Sequence, residues 1–383
     1  MRVLHVVPSF WPAVRYGGPI YSVLRLCTEL RRQGVDVRVA TTDADGPSDL
    51  GVATERWTEV EGVPVRYFQR RPRTDFTFSA ELARFLVSEC NKFELIHVTS
   101  LFSFPSLVAD RVAAWRRVPF VVSPRGSFLP AARRLKAWKK LPYWWVVERP
   151  NLRGAAGIHA TSDAECDAIQ QALPGSTVFV VPNGVDLPKG PPAVQRHSRR
   201  IAFLGRIHPI KGFDLLVPAL SALARRIPDV ETVVAGPDDV GYREQVERML
   251  AQCTPRPRVT WLGPVSGSDK ERFLAEASVV VVPSHSENFG QVVVEALAAG
   301  TPVVASHGTP WSALEEVGAG RWLDREPEVW ATELERILCD AELHRRMSSA
   351  ARELAGRYGW DSVARRMFEW YQRILVAHRR TKD

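Results

Sequence analysis

The stretch from Ser284 to Glu295 combines two acidic residues with the predicted start of a helix. A buried strand is expected to end at Pro283, and a helix is expected to begin near Asn288. Unpaired backbone amides at such a helix N-terminus form a binding site for a diphosphate. Glu287 would precede the helix and accept hydrogen bonds from hydroxyl groups, and Glu295 would lie about two turns inside it. The alternative is an ordinary strand-to-helix turn with two surface acids, since this spacing is common by chance.

A second group of candidate residues opens the second half of the chain, where two cations follow a predicted strand. Arg206 comes at the strand end, and Lys211 lies near the start of the next helix. Arginine binds phosphate oxygens in bidentate geometry and lysine acts as a point charge, so the pair suits a pyrophosphate. A lone cation is more often part of a solvated loop. Because these two accompany the stretch with the glutamates, we interpret them as phosphate-binding residues.

The sequence offers no convincing metal site. Asp43-Ala44-Asp45 matches a D-x-D pattern, but it follows the second predicted strand and is interpreted as a plain turn. The nine histidines contain no H-x-x-x-H pair, and the five cysteines lie far apart. We therefore predict that no metal is needed and that the thiols are reduced, as is typical of a cytoplasmic protein.

Short apolar strands alternate with helical patterns almost throughout the chain. This alternation predicts an α/β protein made of βαβ units, with parallel sheets covered on both faces. A polar, proline-rich stretch at 187–198 interrupts the alternation and is interpreted as a linker between domains at 1–186 and 199–358. We therefore predict two Rossmann-like domains whose parallel sheets face a cleft, with ligands at the carboxyl ends of the strands.

The ordered set of motifs resembles family 4 of the retaining glycosyltransferases of the GT-B fold, over nearly the whole chain. In chain order the motifs are Gly17-Gly18, Pro182-Asn183-Gly184-Val185-Asp186, Gly205-Arg206 with Lys211-Gly212, Glu287 with seven residues to Glu295, and Ala298-Ala299-Gly300-Thr301-Pro302-Val303. The resemblance implies a metal-independent enzyme that transfers a sugar from a nucleotide diphosphate donor to an acceptor. It also implies that the first domain binds the acceptor, the second binds the nucleotide, and a helix at 360–380 packs back on the first.

The resemblance assigns roles to the candidate residues. Glu287 would contact the hydroxyl groups of the donor sugar, and Glu295 would contact those of the ribose. Arg206 and Lys211 would neutralise the departing diphosphate and, with Glu287, are the predicted catalytic residues. The loop containing Pro264 would hold the base, with uridine favoured over guanosine, and no cofactor is implied. The predicted donor-binding residues are Gly17, Gly18, Gly205, Pro264, Val265, Asn288, Phe289, Gly290, Gln291, Val292 and Glu295.

One motif departs from the family pattern. Many members carry a His-Gly pair after a strand of the first domain, whereas this chain has Pro124-Arg125-Gly126. This form looks like a subgroup that works on bacterial surface polysaccharides, which implies a lipid-linked oligosaccharide acceptor for an exopolysaccharide, capsule or O-antigen. Arg125 either contacts an acceptor phosphate or anchors its loop, and His97 either contributes to the cleft or is structural. The predicted acceptor-binding residues are Tyr16, His97, Arg125 and Ser127.

The segment between Asp110 and Arg153 is strongly basic. It contains eleven Arg or Lys residues and two acids, a net charge of +9, against +8 for the whole chain. Cations interleaved with tryptophans suit an anionic membrane surface. Nucleic-acid binding is a competing interpretation, but no recognisable nucleic-acid module surrounds the segment. In a further alternative, Trp144 and Trp145 belong to the core and only the charges are exposed. The predicted membrane-contacting residues are Arg133, Arg134, Lys136, Trp138, Lys139, Lys140, Trp144 and Trp145.

The expected location is the cytoplasm, with peripheral attachment to the inner face of the plasma membrane. No apolar run approaches the roughly 20 residues that a membrane-spanning helix needs, and the N-terminal residues lack a signal-peptide pattern. Three other functions compete with sugar transfer. They are a sugar-nucleotide epimerase of the same fold, a non-catalytic sugar-nucleotide binder, and a dinucleotide-dependent oxidoreductase. The last is disfavoured because no G-x-G-x-x-G follows the first strand.

Overall fold

We describe the protein from a computed structural model, in which residues 1–129, 141–188, 190 and 196–380 are described. The chain divides into two compact units. The first comprises Met1–Gly184 and Trp360–Asp383, and the second comprises Val185–Gly359. The first unit is therefore assembled from two separate parts of the chain. No helix among the described residues is long and apolar enough to cross a bilayer.

The described part of the first unit contains ten strands. They are β1 (Arg2–Val7), β2 (Asp36–Thr42), β3 (Ala44–Asp45), β4 (Ser48–Asp49), β5 (Trp57–Val60), β6 (Val63–Phe68), β7 (Leu95–Thr99), β8 (Phe120–Ser123), β9 (Gly157–Ala160) and β10 (Val178–Val180). Eight of them form one sheet in the order β10-β9-β8-β7-β1-β2-β6-β5, and β3 pairs with β4 in a separate hairpin. The order reverses at β1, which lies between β2 and β7, so a crevice opens there at the carboxyl ends of the strands.

One strand pair of this sheet is antiparallel, which the predicted alternation of strands and helices did not include. β5 pairs with β6 in antiparallel register, whereas all other neighbours in the sheet are parallel. Glu61 and Gly62 join the two strands, and both have positive φ, at 45° and 80°. Two left-handed residues form the turn that best matches the twist of a hairpin. The Glu61-Gly62 pair is therefore the local sequence pattern that could have predicted this hairpin.

The helices of the first unit cover both faces of its sheet. In the described part of this unit they include α1 (Gly18–Arg32), α2 (Ala80–Glu89), α3 (Phe104–Arg116), a π-helical turn (Trp144–Glu148), α4 (Arg149–Gly154), α5 (Asp163–Ala172) and the C-terminal helix (Trp360–Arg380), with short 3-10 turns at Val14–Tyr16 and Cys90–Lys92. The C-terminal helix buries Val363, Met367, Tyr371 and Ile374 in one apolar cluster with residues of β1 and α1. Spacings of three and four residues place these side chains on one face of the helix.

The second unit has a single parallel sheet. Its strands are β11 (Arg200–Leu204), β12 (Glu231–Ala235), β13 (Arg258–Gly263), β14 (Val279–Val282), β15 (Val303–Ser306) and β16 (Gly320–Leu323). They lie in the order β13-β12-β11-β14-β15-β16 and every pairing is parallel. Counted from β11, this is the 3-2-1-4-5-6 order of a nucleotide-binding fold, in which ligands occupy the crevice between the first and fourth strands. The prediction of Rossmann-like architecture with parallel sheets is confirmed.

Helices cover both faces of this second sheet. They are α6 (Phe213–Arg226), α7 (Arg243–Ala251), α8 (Gly267–Glu276), α9 (Gln291–Ala298), α10 (Ala313–Glu316), α11 (Pro327–Cys339) and α12 (Ala341–Gly356), with a 3-10 turn at Pro209–Lys211. The four consecutive valines of β14 are all buried. Val279 and Val281 pack into one apolar cluster, and Val280 and Val282 pack into another. A strand covered on both faces needs apolar side chains at every position, which explains this run.

Candidate functional site

Two loops of the second unit meet at the carboxyl ends of β11 and β14. Gly212, which follows the Pro209–Lys211 turn, has φ +80°, and a Cβ atom there would lie 2.0 Å from the carbonyl oxygen of Pro283. Only glycine therefore permits the loop after β11 to approach the loop after β14 so closely. This contact lies at the crevice that the strand order predicts, and it brings together residues from the two sequence motifs.

Lys211 and Glu287 form an ion pair across these loops. The Lys211 ammonium lies 2.5 Å from Oε1 of Glu287, and the two side chains are only 19% and 14% exposed. Ser284 donates a second hydrogen bond to the same oxygen, at 2.8 Å. The backbone amide of Glu287 donates to the carbonyl of Gly308 at 2.8 Å, which fixes the loop itself. A half-buried acid and base thus neutralise one another at the predicted donor site.

Arg206 lies directly after β11, on the same side of the sheet. Its side chain is exposed, and no acidic group of the described residues lies within ion-pair distance of it. His208 lies between Arg206 and Lys211 in sequence, and its Nδ1 accepts a hydrogen bond from the amide of Ile210 at 3.2 Å. Burial lowers the pKa of His208, and the positive charges of Arg206 and Lys211 lower it further. The loop therefore presents one uncompensated cation and is electropositive.

The helix that follows Glu287 begins later than predicted. α9 starts at Gln291, three residues after Asn288, and Gly290 precedes it with φ +78°. Asn288 and Val292 are partly buried near this start. Phe289 is buried, and its ring packs against Trp311 and Tyr358, with centroids 5.3 and 6.0 Å away. Phe289 can therefore reach a ligand only through its backbone, because its side chain belongs to the core.

A second ion pair holds Glu295 inside α9. The Lys270 ammonium lies 2.9 Å from Oε1 of Glu295, and the side chains are 27% and 14% exposed. The loop that begins with Pro264 and Val265 follows β13, with Pro264 exposed and Val265 partly buried. Sequence reasoning did not single out Lys270, since it lies 25 residues from its partner and in another helix.

In the first unit, the glycine loop follows β1. Gly17 has φ +74° and precedes α1, and Gly18 is the first residue of that helix. The hydroxyl of Tyr16 accepts a hydrogen bond from the amide of Gly46 at 2.8 Å, while 41% of the Tyr16 side chain stays exposed. The loop is therefore braced by the β3–β4 hairpin that contains the D-x-D pattern.

The two aspartates of that pattern have protein partners. Asp43 accepts a hydrogen bond from the amide of Arg70 at 2.9 Å, and Asp45 lies 3.7 Å from the guanidinium of Arg15. Among the residues the structure describes, no three His, Cys, Asp or Glu side chains are grouped so that they could hold a metal ion. The hairpin geometry accounts for Asp43 and Asp45 as structural residues.

Arg125 lies in the loop after β8, with φ +53°. Its guanidinium donates to Oδ1 of Asn183 at 2.6 Å, and its buried Nε has no hydrogen-bond partner among the described residues. The neighbouring Gly126 amide donates to Glu165, whose other oxygen accepts from the amide and hydroxyl of Thr161 at 2.8 and 2.9 Å. The Ser127 hydroxyl donates to the carbonyl of Pro124 at 2.7 Å and so closes its own turn.

Comparison with known proteins agrees with this architecture. Residues 17–184 match the model of the glycosyl transferase 4-like domain, and residues 191–354 match that of the glycosyl transferases group 1. The chain is 34% identical to a D-inositol 3-phosphate glycosyltransferase of Xylanimonas cellulosilytica, over 97% of this chain and 95% of that one. The chain belongs to family 4 of the GT-B glycosyltransferases.

Other relatives match over shorter or more distant alignments. A D-inositol 3-phosphate glycosyltransferase of Saccharomonospora viridis is 34% identical over 62% of this chain, which spans only 60% of that relative's length. The crystal structure of Anabaena HepE in complex with UDP and glucose superposes with a TM-score of 0.75 at 21% identity, covering 97% of this chain and 99% of that one. This structural likeness supports the GT-B fold that the motifs indicated.

Within this family 4 glycosyltransferase, His97 differs from the expectation that it contacts an acceptor. The side chain is fully buried, with Nδ1 2.5 Å from the hydroxyl of Tyr371 and Nε2 2.7 Å from that of Ser123. Burial lowers the pKa of His97 well below its ordinary value, so the ring is neutral. Because both ring nitrogens already bind protein groups, the structural interpretation of His97 is the one that fits.

His97 belongs to a continuous row of hydrogen bonds. His159 donates from Nε2 to the carbonyl of Val181 at 2.7 Å, and Nδ1 of the same ring lies 2.5 Å from the hydroxyl of Ser123. The hydroxyl of Tyr371 lies 3.2 Å from Nε2 of His5. A carbonyl only accepts, so with neutral rings every hydrogen bond of the row donates towards Val181. His5 donates to Tyr371, Tyr371 to His97, His97 to Ser123, and Ser123 to His159. Burial and the charge of Arg125 lower the pKa of His5 and of His159 to about 3. The histidines of this row are therefore neutral, and the positive charge of Arg125 contributes to keeping them so.

The predicted membrane segment falls only partly within the described residues. Arg133, Arg134, Lys136, Trp138, Lys139 and Lys140 lie outside them. Trp145 is 55% exposed, with the Arg149 guanidinium 4.6 Å from its ring centroid, so it is not the core residue that the alternative interpretation assumed. Trp144 is partly buried against Phe128, at a centroid distance of 5.3 Å. Leu141 and Val146 are also exposed, by 59% and 69%.

Proposed function

We propose that this protein transfers a sugar from a nucleotide diphosphate donor to an acceptor, with retention of the anomeric configuration and without a metal ion. The nucleotide would bind in the second unit, between the carboxyl ends of β11 and β14. The observation that supports this most directly is the Lys211–Glu287 ion pair at that crevice, beside exposed Arg206 and the start of α9. A uridine nucleotide is favoured, and the likeness to a structure holding UDP and glucose agrees with this choice.

The chemistry follows from the charges that develop when the anomeric bond breaks. The diphosphate gains negative charge, which Arg206, Lys211 and the amides at the start of α9 would stabilise. Donor binding would draw the Lys211 ammonium from Glu287 towards the phosphates. The Glu287 carboxylate would then accept hydrogen bonds from the hydroxyl groups of the donor sugar. One ion pair would therefore supply groups for both halves of the donor.

The test of this function is a donor screen followed by product analysis. Thermal shift with UDP, GDP and their sugar conjugates identifies the donor, because a ligand that binds only the native state raises its apparent stability. Incubation with the selected donor and an acceptor should yield a glycosylated product whose anomeric configuration, read by NMR, matches that of the donor. Donor turnover that leaves the nucleotide attached to an epimerised sugar would point to the epimerase alternative. Binding without turnover would point to a non-catalytic binder.

For the acceptor we propose a phosphate-bearing, lipid-linked saccharide. Support comes from Arg125, which among the described residues donates a hydrogen bond to the neutral amide of Asn183 and has a buried Nε donor without a partner. The names of the relatives favour a second candidate, D-inositol 3-phosphate, which also carries a phosphate. Parallel assays with the two acceptors decide between them, and Arg125→Gln should weaken whichever acceptor is used. An unchanged KM in that variant would reduce Arg125 to an anchor of its loop.

We further propose peripheral attachment to the anionic inner face of the plasma membrane. Exposed Leu141, Trp145 and Val146, with Arg149 beside them, support this proposal. Such side chains insert at the headgroup level while nearby cations bind lipid phosphates. Vesicle co-sedimentation should show binding that requires anionic lipid, decreases with salt and weakens in a Trp145→Ala, Val146→Ala double variant. Equal binding to neutral and anionic vesicles, or none to either, would contradict membrane attachment.

A further inference from the structure

Lys270 has no role in the function proposed above, yet it contacts the residue expected to bind the ribose. It lies in α8 and reaches across to Glu295 in α9, with its ammonium 2.9 Å from Oε1. The pair resembles Lys211 with Glu287 in that a half-buried glutamate is held by a lysine from another element. The difference is that Lys211 follows the strand next to the predicted phosphate site, whereas Lys270 approaches Glu295 from a separate helix.

The surroundings of Glu295 explain why its contact with Lys270 matters for the charge of the carboxyl group. The side chain is only 14% exposed, and burial raises the pKa of its carboxyl group. The negative charge of Asp186 raises this pKa as well, while the ammonium of Lys270 and a hydrogen bond from Gln291 lower it. Gln291 lies one turn earlier in the same helix. Lys270 supplies both a positive charge and a hydrogen bond that lower this pKa, so it favours the ionised form of Glu295 and holds the carboxylate in one orientation.

An ionised, fixed carboxylate is the form that a diol requires. Each ribose hydroxyl donates a hydrogen bond, and a carboxylate has several acceptor positions for them. Lys270 occupies one acceptor position on Oε1 and Gln291 occupies another, and since a carboxylate offers about four such positions, the ribose hydroxyls can use the remaining ones. Hydrogen bonds to a charged acceptor are about twice as strong as neutral ones. A protonated or rotated Glu295 would therefore bind the two hydroxyls less well.

We propose that Lys270 is a positioning residue for the nucleotide, which acts through Glu295 to make the site prefer a ribonucleotide over its 2′-deoxy counterpart. This inference rests on the proposed function, because it requires a nucleotide in the second unit, with its ribose at Glu295 as the family resemblance implies. Lys270 itself does not touch the reacting atoms. Its removal should therefore raise the KM of the donor and leave kcat nearly unchanged.

The experiment compares Lys270→Met, which keeps the length of the side chain and removes its charge, with Lys270→Arg, which keeps the charge. Arg272→Met is the matched control, since Arg272 is an exposed cation of the same helix. Calorimetric titrations use UDP, 2′-deoxy-UDP, GDP and 2′-deoxy-GDP as probes. Thermal melting shows in each case that the variant is folded.

The wild type should bind its ribonucleotide about tenfold or more tightly than the 2′-deoxy form, since the lost hydrogen bond is made to a charged group. Lys270→Met should weaken ribonucleotide binding and reduce this ratio towards one, and Lys270→Arg should preserve most of it. A folded Lys270→Met protein with the wild-type ratio would overturn the inference and leave the proposed function intact. A wild-type protein that binds none of the four nucleotides would instead contradict the proposed function.

Discussion

The indole nitrogen of Trp311 donates a hydrogen bond to the backbone carbonyl of Phe289. The same nitrogen would lie 3.3 Å from a Cβ atom placed on Gly290. Trp311 itself is almost fully buried, so its position is set by the core of the second unit. The buried Trp311 side chain therefore fixes the turn before α9 and the direction of the backbone amides at the start of this helix.

Gly290→Ala should weaken donor binding and destabilise the protein. Alanine at φ +78° costs about 1–2 kcal/mol, and its methyl group would also press against Trp311. Nucleotide titration measures the loss of donor binding, and denaturant unfolding measures the loss of stability. Gly318→Ala is the control, because Gly318 has φ +71° with open space around it. The control should lose similar stability and keep its nucleotide affinity; equal affinities in both variants would show that the turn does not bind the donor.

Lys211→Ala should reduce turnover about a hundredfold or more, by analogy with the loss of one preorganised donor that stabilises a developing anion. The variant also leaves the half-buried Glu287 carboxylate without its cation. Steady-state kinetics and a thermal melt separate the two consequences. Arg345→Ala, which removes an exposed ion pair with Glu342, should change neither. Near wild-type turnover in Lys211→Ala would exclude the lysine from the mechanism.

Activity should persist in excess EDTA. Protein cations and helix amides are expected to do the charge stabilisation that a divalent ion does in other transferases. The measurement is the initial rate before and after chelation, followed by addition of magnesium or manganese. A rate that falls on chelation and returns with either metal would contradict metal independence.

A buried pair of acids in the first unit should make stability depend on pH. Burial raises the pKa of Glu148 to about 7, and burial with the nearby charge of Glu148 raises that of Asp110 well above its ordinary value. Between 4.5 and about 7, the folded protein therefore retains a proton on Glu148 that the unfolded chain has lost. Unfolding free energy should decrease as pH rises through this window, by up to about 1.4 kcal/mol per pH unit from this group.

Glu148→Gln tests this dependence while keeping an oxygen that can accept the hydrogen bond from the Phe102 amide, at 2.6 Å in the wild type. Denaturant unfolding at several pH values from 5 to 8 should give a flatter curve for this variant. Glu316→Gln alters an exposed acid and should leave the wild-type slope in place. A slope unchanged by Glu148→Gln would show that Glu148 is ionised throughout.

The sequence predicts the sheets of this protein better than it predicts the loops. The valine run of β14 and the cations after β11 could be recognised in the sequence, because a buried strand and the residues that follow it form a local pattern. They located the edge of the second sheet. The start of α9 was placed three residues early, since the irregular turn before Gly290 has no periodicity. Contacts across the sheet were not predictable. His5 and His97 lie side by side only in the β1–β7 register, which no local pattern reveals.

The discontinuous first unit has a consequence for synthesis on the ribosome. Val185–Gly359 is contiguous and emerges whole, whereas the first unit must wait for Trp360–Arg380 to emerge. Domains usually fold in the order of synthesis, but here the unit that emerges first is completed last. Until Tyr371 arrives, Nδ1 of His97 and Nε2 of His5 must bond water instead, and the apolar face that Met367 and Ile374 cover stays open. A nascent chain stalled before Trp360 is therefore a natural client for chaperones that bind exposed apolar surface.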